Sequence, residues 1–336
     1  MSPILKCIKE NKTNIRPVWF MRQAGRYLPE FREIRKKNPN FIKLCLNKSL
    51  TPEITLQPLK RFQLDAAIIF SDILMLPYGL GQKVEFKKNF GPILGEVSLN
   101  DFLKVNEENF SNKLGSIYES INITSKDKLI HGKDLIGFVG APWTILVYML
   151  NQESPKKDFK NFIFIQSKNE LVSNLISIIT KFLKIHITNQ VKSGATIIQI
   201  FDSWAGLISE NKYLEKYIYL PNREIVNHTK KLGVPVICFP RKIKNYRLFC
   251  EEVKPDVISI DYDVDPKTIS KEINIPIQGG LDPKFLLGDK DQIKKEATKY
   301  LDIFDHLPYI FNLGHGMLPE TDPLMVDYLV KLIKDY

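Results

Sequence analysis

Cysteine is scarce in this chain: four in 336 residues, at Cys7, Cys45, Cys238 and Cys250. No pair is spaced as CxxC and no His-x-Cys stands near one, so a zinc site is unsupported and a reducing compartment is expected. No apolar run approaches the ~18 residues of a membrane-spanning helix. The opening MSPILKCIKENKTNIRP holds no apolar stretch long enough for a signal peptide. The expectation is a soluble, cytoplasmic protein with no membrane partner. A glycine-rich GxGxxG is absent after the first strand-like run, as are a Walker loop and a Ser/His/Asp nucleophile elbow. There is no aromatic-interleaved basic stretch of the RNA-binding type, so nucleic acid is not expected as a partner. Negative charge is also in deficit. Asp and Glu number 38 against 48 Lys and Arg, a formal charge of +10. That excess suits an anionic partner, although scattered lysine on a solvated surface would produce the same number.

What is present is a regular succession of short β-branched and aromatic runs. They are PVWFM (17–21), AAIIF (66–70), LIGFVG (135–140), TIIQIF (196–201), VPVICF (234–239), DVISID (256–261), IPIQGG (275–280) and YIFNLG (309–314). Most are apolar on both faces, as buried parallel strands are. Helical patterns separate them, among them NELVSNLISIITKFLKIHITNQVKSG (169–194), which ends on a plausible C′ glycine, Gly194. Eight strands alternating with helices predict a (β/α)8 barrel, with a doubly wound open sheet as the competitor. Neither a linker nor a short-period repeat divides the chain, so residues 1–336 are read as a single domain. SPKKDFKN (154–161) and the polar stretch 96–132 read as insertions between strands.

In such a barrel the chemistry gathers at the C-terminal ends of the strands. The residues there are Arg22, Gln23 and Arg26 after the first strand, Ser71 and Asp72 after the second, and Pro142 and Trp143, then Tyr148, after the third. Asp202 and Ser203 follow the fourth, and His315 the last. Two guanidiniums at i and i+4, Arg22 and Arg26, can deliver paired forks to one carboxylate-binding pocket, or can bridge Glu30 and Glu33 at the surface. Asp72 can hold an N–H or cationic group of a ligand, or cap the following turn. In GFVGAPWTILVY (137–148) the glycines permit close backbone approach, or simply a tight strand-to-helix turn. Ser203 can donate to a ligand or cap a helix. His315, between two glycines, can bind an anion, carry protons or tolerate a turn. His131, His186, His228 and His306 have no metal-ligand spacing.

PVWFMRQAGRYLPEFREIR (17–35) resembles the N-terminal signature of the uroporphyrinogen decarboxylase family. The resemblance continues, in order, through LTPEITLQPLKRFQLDAAIIFSDIL (50–74), GFVGAPWTILVYML (137–150), FDSWAG (201–206), QGGLDP (278–283) and NLGHGMLPETDP (312–323). It implies a distorted (β/α)8 TIM barrel working as a homodimer without metal or organic cofactor. The implied reaction converts the four acetate side chains of uroporphyrinogen III to methyls, giving coproporphyrinogen III. Position by position, the resemblance makes Arg22, Gln23, Ala24, Gly25 and Arg26 the anion-binding loop. It makes Asp72 the central carboxylate that accepts pyrrole N–H groups and stabilises the transition state, with Arg22 and Arg26 as its catalytic companions. Tyr148, Ser203 and His315 fall at substrate contacts. The chain departs from the pattern where Asn151 and Gln152 replace a Glu-Gly pair, and where Trp204 and Leu207 replace frequent histidines. The first departure is expected to alter a peripheral loop only.

Two other functions fit parts of the sequence. A corrinoid- or thiol-directed methyltransferase on the same fold would need a His-x-Cys, which Cys238 lacks. A non-catalytic tetrapyrrole-binding carrier needs only the charge.

Overall fold

The computed structural model describes residues 1–87, 90–155 and 169–336. Seven parallel strands form one sheet in sequence order: β1 Ala66–Ile68, β2 Asp134–Gly140, β3 Ile197–Asp202, β4 Val236–Pro240, β5 Val257–Ile260, β6 Ile277–Gly279 and β7 Tyr309–Ile310. The register steps round without a break, as in Ile136↔Ile197, Ile198↔Val236, Ile237↔Val257 and Ile277↔Tyr309.

The first predicted strand, 17–21, is reduced to a single parallel bridge between Val18 and Phe311. It nevertheless closes the ring. The Phe311 N–H donates to the Pro17 carbonyl at 2.8 Å, and on the other side the Asp65 N–H donates to Val18 at 2.9 Å. Asp65 also accepts the Val18 N–H on its carboxylate at 2.7 Å, replacing a ladder bond with a side chain. The barrel therefore has eight positions and one irregular seam, which accounts for its distortion.

Alternation along the strands sorts side chains to the inside and outside of the ring. On β3, Ile197 and Phe201 turn into the barrel with Ile237, Val257 and Ile310, while Ile198 and Ile200 face the helices. The middle of the barrel is polar but satisfied. Trp19 Nε1 donates to Gln278 Oε1 at 2.9 Å, and Gln278 Nε2 donates to Gln199 and Ser259 at 3.1 and 3.2 Å. The N-terminal helix Pro3–Lys9 inserts Ile4, Cys7 and Ile8 into the interior cluster and so plugs the bottom. The open end is thereby the C-terminal one.

The helix Asn169–Lys192 buries Val172, Leu175, Ile179, Leu183 and Ile187 at helical spacing. Gly194 ends it with φ +114°, and the Ala195 and Gly194 N–H groups return to Gln190 and Val191, the two bonds of a Schellman motif. Residues Glu170–Lys192 are long and apolar enough, by length and composition alone, to span a membrane; half of their most apolar 18-residue window is buried in the protein. The predicted insertion 96–132 is largely helical, with helices Leu99–Lys104, Glu107–Lys113 and Gly115–Ser125. An antiparallel hairpin, Val84–Lys87 with Gly91–Leu94, precedes it and was not legible as strand. The segment SPKKDFKN lies outside the described residues from position 156 onward.

Candidate active site

The segment 20–28 is a loop, not a helix, and gives way to the helix Pro29–Lys37 only at Pro29. Arg22 sits at φ +61°, a conformation most side chains avoid. Its backbone is tied in place on both sides. The Met21 N–H donates to Asn312 Oδ1 at 3.0 Å and the Met317 N–H donates to the Met21 carbonyl at 2.9 Å. The arginine loop and the His315 loop are thus sutured together. The Arg22 side chain then runs across Gly316, where a Cβ would lie 2.4 Å from Arg22 Cδ. Only glycine leaves that path open.

Gln23 does not face the mouth. It is fully buried; its Oε1 accepts the Phe20 N–H and its Nε2 donates to the Ala66 carbonyl, both at 3.0 Å. The Gln23 carbonyl receives the Tyr27 hydroxyl at 2.8 Å. This residue moulds the loop against β1. Ala24 and Gly25 are half-buried and Arg26 is exposed. Among the described residues the N–H groups of all three donate no backbone or side-chain hydrogen bond, which leaves them available to an anion. The surface alternative for the arginines is not realised: Glu30 is engaged by Arg61 at 2.5 and 2.8 Å. Arg32 instead donates to the Arg26 and Tyr27 carbonyls at 3.1 Å, bracing the end of the loop.

Asp72 is half-buried beyond β1. The Phe70 N–H donates to Thr55 Oγ1 at 2.9 Å and steers the chain as it leaves the strand. Asp72 Oδ1 accepts the Leu74 N–H at 2.8 Å, the turn-capping bond weighed from sequence. Its Oδ2 accepts none among the described residues, so one oxygen anchors the group and the other stays open. Burial pushes the Asp72 pKa up to about 6, opposed by the Leu74 N–H and by the charge of Arg22. Arg22, Asp72 and Tyr148 all feel one another's charge. Desolvation lowers the Arg22 pKa, while Asp72 and Tyr148 raise it and Arg26 and Arg241 lower it further. Desolvation raises that of Tyr148, and hydrogen bonds with Ser154 and Trp204 oppose the rise. No direct ion pair joins Arg22 to Asp72 among the described residues, so neither is neutralised by contact.

Tyr148 lies on the helix Pro142–Asn151, which starts at once after β2 with Pro142 in its first turn. The glycines before it serve packing. A Cβ on Gly137 would lie 2.5 Å from Gln190 Oε1, and one on Gly140 would lie 2.7 Å from Ile145 Cδ1. Trp143 is buried and donates Nε1 to the Trp204 carbonyl at 2.9 Å, joining this wall to the next. Gln152, where a glycine belongs in the family pattern, takes φ +59° at the helix end, a left-handed position that glycine fills at lower cost. Asp202 is a support beneath the mouth. It is buried, accepts Thr144 Oγ1 at 2.6 Å and Asn222 Nδ2 at 3.1 Å, and burial pushes its pKa up to about 6. Ser203 is half-buried at the end of β3 and makes no side-chain hydrogen bond among the described residues. It does not cap the following turn Ala205–Leu207, whose N-cap is Trp204.

His315 is half-buried, and its ring lies 6.5 Å from that of Tyr262. Burial, and then the charges of Arg241 and Arg22, push its pKa down to about 4, so it is neutral at pH 7. It can donate or accept a hydrogen bond there, but it is not a cation. Cys238 is buried and its thiol pKa is driven well above the usual value by burial. Among the described residues no cluster of three or more His, Cys, Asp or Glu could hold a metal ion. Arg241, in the FPRK string that runs off the end of β4, was not among the strand-end residues singled out from sequence, yet its charge lowers the pKa of both Arg22 and His315. Asn312, the suture between the two loops, was not singled out either.

Comparison with known proteins returns the same family at several levels. The family model described as uroporphyrinogen decarboxylase matches residues 1–336. A uroporphyrinogen decarboxylase of Rickettsia bellii is 43% identical over 325 residues, covering 95% of each chain. That of Rickettsia felis is 42% identical over 342 residues, covering all of this chain and 97% of its own. Among solved structures, a methyltransferase from Methanosarcina mazei superposes with a TM-score of 0.78 at 16% identity, covering 99% of this chain and 97% of its own. A similarity that remote speaks to the fold alone, and the fold it speaks to is the barrel described above.

Proposed function

The chain belongs to the uroporphyrinogen decarboxylase family, and from that premise we infer that Arg22, Arg26 and Asp72 carry its reaction. It is a carboxy-lyase of porphyrin biosynthesis that decarboxylates uroporphyrinogen. The observation that carries the residue assignment is the half-buried Asp72, anchored by one oxygen and open at the other, within range of the charges of Arg22 and Tyr148 but in no ion pair among the described residues.

The chemistry explains why such a carboxylate is useful. Removing carbon dioxide from a pyrrole acetate breaks a C–C bond, and the electron pair left behind needs a sink. Protonation of the ring carbon beside the acetate makes the ring a cationic, iminium-like acceptor. As carbon dioxide leaves, that pair neutralises the ring. A proton taken up at the former acetate carbon, with loss of the ring proton, then yields the methyl pyrrole. Each turn consumes one proton and releases one carbon dioxide, with no net redox change; four turns convert uroporphyrinogen III to coproporphyrinogen III. The substrate is its own electron sink. Asp72 accepts the pyrrole N–H groups on its open oxygen and stabilises the positive charge as it develops. With a pKa of about 6 it is about nine-tenths ionised at pH 7.

Arg22, Arg26 and the free amides of Ala24 and Gly25 hold carboxylates of the substrate, and Gln23 acts through the loop it shapes. Ser203, Tyr148 and neutral His315 offer hydrogen bonds to its periphery. The chain works as one domain over residues 1–336, as a cytoplasmic homodimer; sedimentation at twice the chain mass is the expected result. For activity, the purified protein is expected to turn uroporphyrinogen III into coproporphyrinogen III anaerobically with nothing added. Chromatography of the oxidised porphyrins reads this directly. A folded sample that forms no product overturns the reading.

A further inference from the structure

The geometry points to Arg241 as a third arginine of the substrate mouth, holding a carboxylate on the wall opposite Arg22 and Arg26. This deepens the decarboxylase reading and rests on it. Arg241 follows β4 directly. In the eight-position ring the seam at Pro17–Trp19 is first and β4 is fifth, so the two arginine sites leave the barrel rim on opposite sides. Both meet the His315 loop: a Cβ on Gly314 would lie 2.8 Å from the carbonyl carbon of Asp261, the partner of Arg241, and one on Gly316 would lie 2.4 Å from Arg22 Cδ.

The side chain is built into place. Nε donates to Asp261 Oδ1 at 3.1 Å, and that carboxylate is fully buried. Asp261 Oδ2 is in turn held by the Lys242 N–H at 2.5 Å and the Tyr246 hydroxyl at 3.0 Å. The Arg241 main chain is fixed as well. Its N–H donates to the Asp202 carbonyl and its carbonyl accepts the Gly206 N–H, both at 3.0 Å. Gly206 permits that contact, since a Cβ there would lie 2.6 Å from the Lys242 carbonyl oxygen. Asp261 thus occupies Nε only. The two terminal nitrogens of Arg241 have no hydrogen-bond partner among the described residues and are not enclosed. A guanidinium held by its inner edge and free at its outer edge presents a two-pronged fork to a carboxylate.

A substrate with carboxylates all round its ring needs cations on more than one side. Arg22 and Arg26 engage one edge near Asp72; Arg241 engages a carboxylate on the far edge, one that is not reacting. Asp261, with Tyr246, is the positioning residue behind it. Holding a remote group equally in ground and transition states alters KM more than kcat.

Arg241→Gln is therefore expected to raise KM for uroporphyrinogen about tenfold or more, with kcat falling less than about threefold. Arg241→Lys, which keeps the charge without the fork, should recover part of the lost KM. A purely structural ion pair would instead lower the melting temperature and leave KM unmoved in the folded variant, which overturns the inference. The unaltered protein supplies a second reading that does not depend on a variant folding. Phenylglyoxal labelling of Arg241, mapped by mass spectrometry, should be suppressed by uroporphyrin; equal labelling with and without it overturns the inference. If the unaltered protein makes no product, the decarboxylase reading fails, whereas product with an unchanged KM in Arg241→Gln removes only the role of Arg241.

Discussion

Replacing Asp72 by Asn should make the protein both inactive and more stable. The Asn Oδ1 can still accept the Leu74 N–H, so the turn after β1 is retained. What disappears is a carboxylate whose pKa is raised from 3.8 to about 6, first by burial, against the help of the Leu74 N–H and Arg22. A folded-state value above the unfolded one means that the group contributes stability in full below about 3.8. That contribution is lost as pH rises through about 6. At pH 7 the ionised group is therefore a net cost. The rise corresponds to about 3 kcal/mol, which solvent at the open side of the mouth reduces to about 1–2 kcal/mol. For a chain of this length the melting temperature should increase by about 2 °C at pH 7. The gain should vanish near pH 4, where the aspartate is itself neutral. Activity moves the other way, since loss of a fixed charge at the developing cation should cost at least about a hundredfold in kcat. In the unaltered enzyme the same group predicts an acid limb, with rate falling about tenfold per pH unit below about 6. Calorimetry at the two pH values, paired with anaerobic turnover, checks all of this. An Asn variant that melts lower than the parent at pH 7, or that turns over within tenfold of it, would refute the assignment.

Gly316→Ala should leave the melting temperature within about 2 °C while lowering kcat/KM at least about tenfold. Its Cβ would fall 2.4 Å from Arg22 Cδ and 2.8 Å from Cγ and Nε, so the guanidinium must leave its path; full activity would contradict that route for the side chain. Gln23→Ala strands the Phe20 N–H and the Ala66 carbonyl in a dry interior, and denaturant titration should show a loss of about 2–4 kcal/mol. A near-neutral result would mean that Gln23 serves the substrate and not the loop.

Much of the architecture was legible in order and little of it in detail. Seven of the eight strand-like runs form strands of the ring, because short apolar, β-branched segments suit parallel strands that helices and core cover on both faces. The first run, PVWFM, supplies only a bridge at Val18, because on one side it meets the single residue Asp65, through its N–H and its carboxylate, and not a strand edge. The paired strands Val84–Lys87 and Gly91–Leu94 are not legible because their residues are mostly half-exposed and their pattern is weak. Arg22, Asp72, Tyr148 and His315, to which the proposed function gives roles, were chosen from strand ends and from a resemblance. Gln23, one residue from Arg22, turned inward, a direction that linear spacing does not encode.

Residue by residue, the sequence determined the kind of site, and only its resemblance to a family named the reaction. A succession of buried strands with arginines, an aspartate and a histidine at their ends describes a barrel with an anion-binding mouth, and these properties are local. Only the tertiary structure decided how those groups act on one another. Val18 meets Phe311 and Met21 meets Asn312 across nearly the whole chain. Those closures bring Arg22 over Gly316, raise the Asp72 pKa to about 6 and lower that of His315 to about 4. The same ring carries Arg241 to the facing wall. Desolvation and charge coupling depend on distances in space, and residues hundreds of positions apart acquire those distances only when the ring closes.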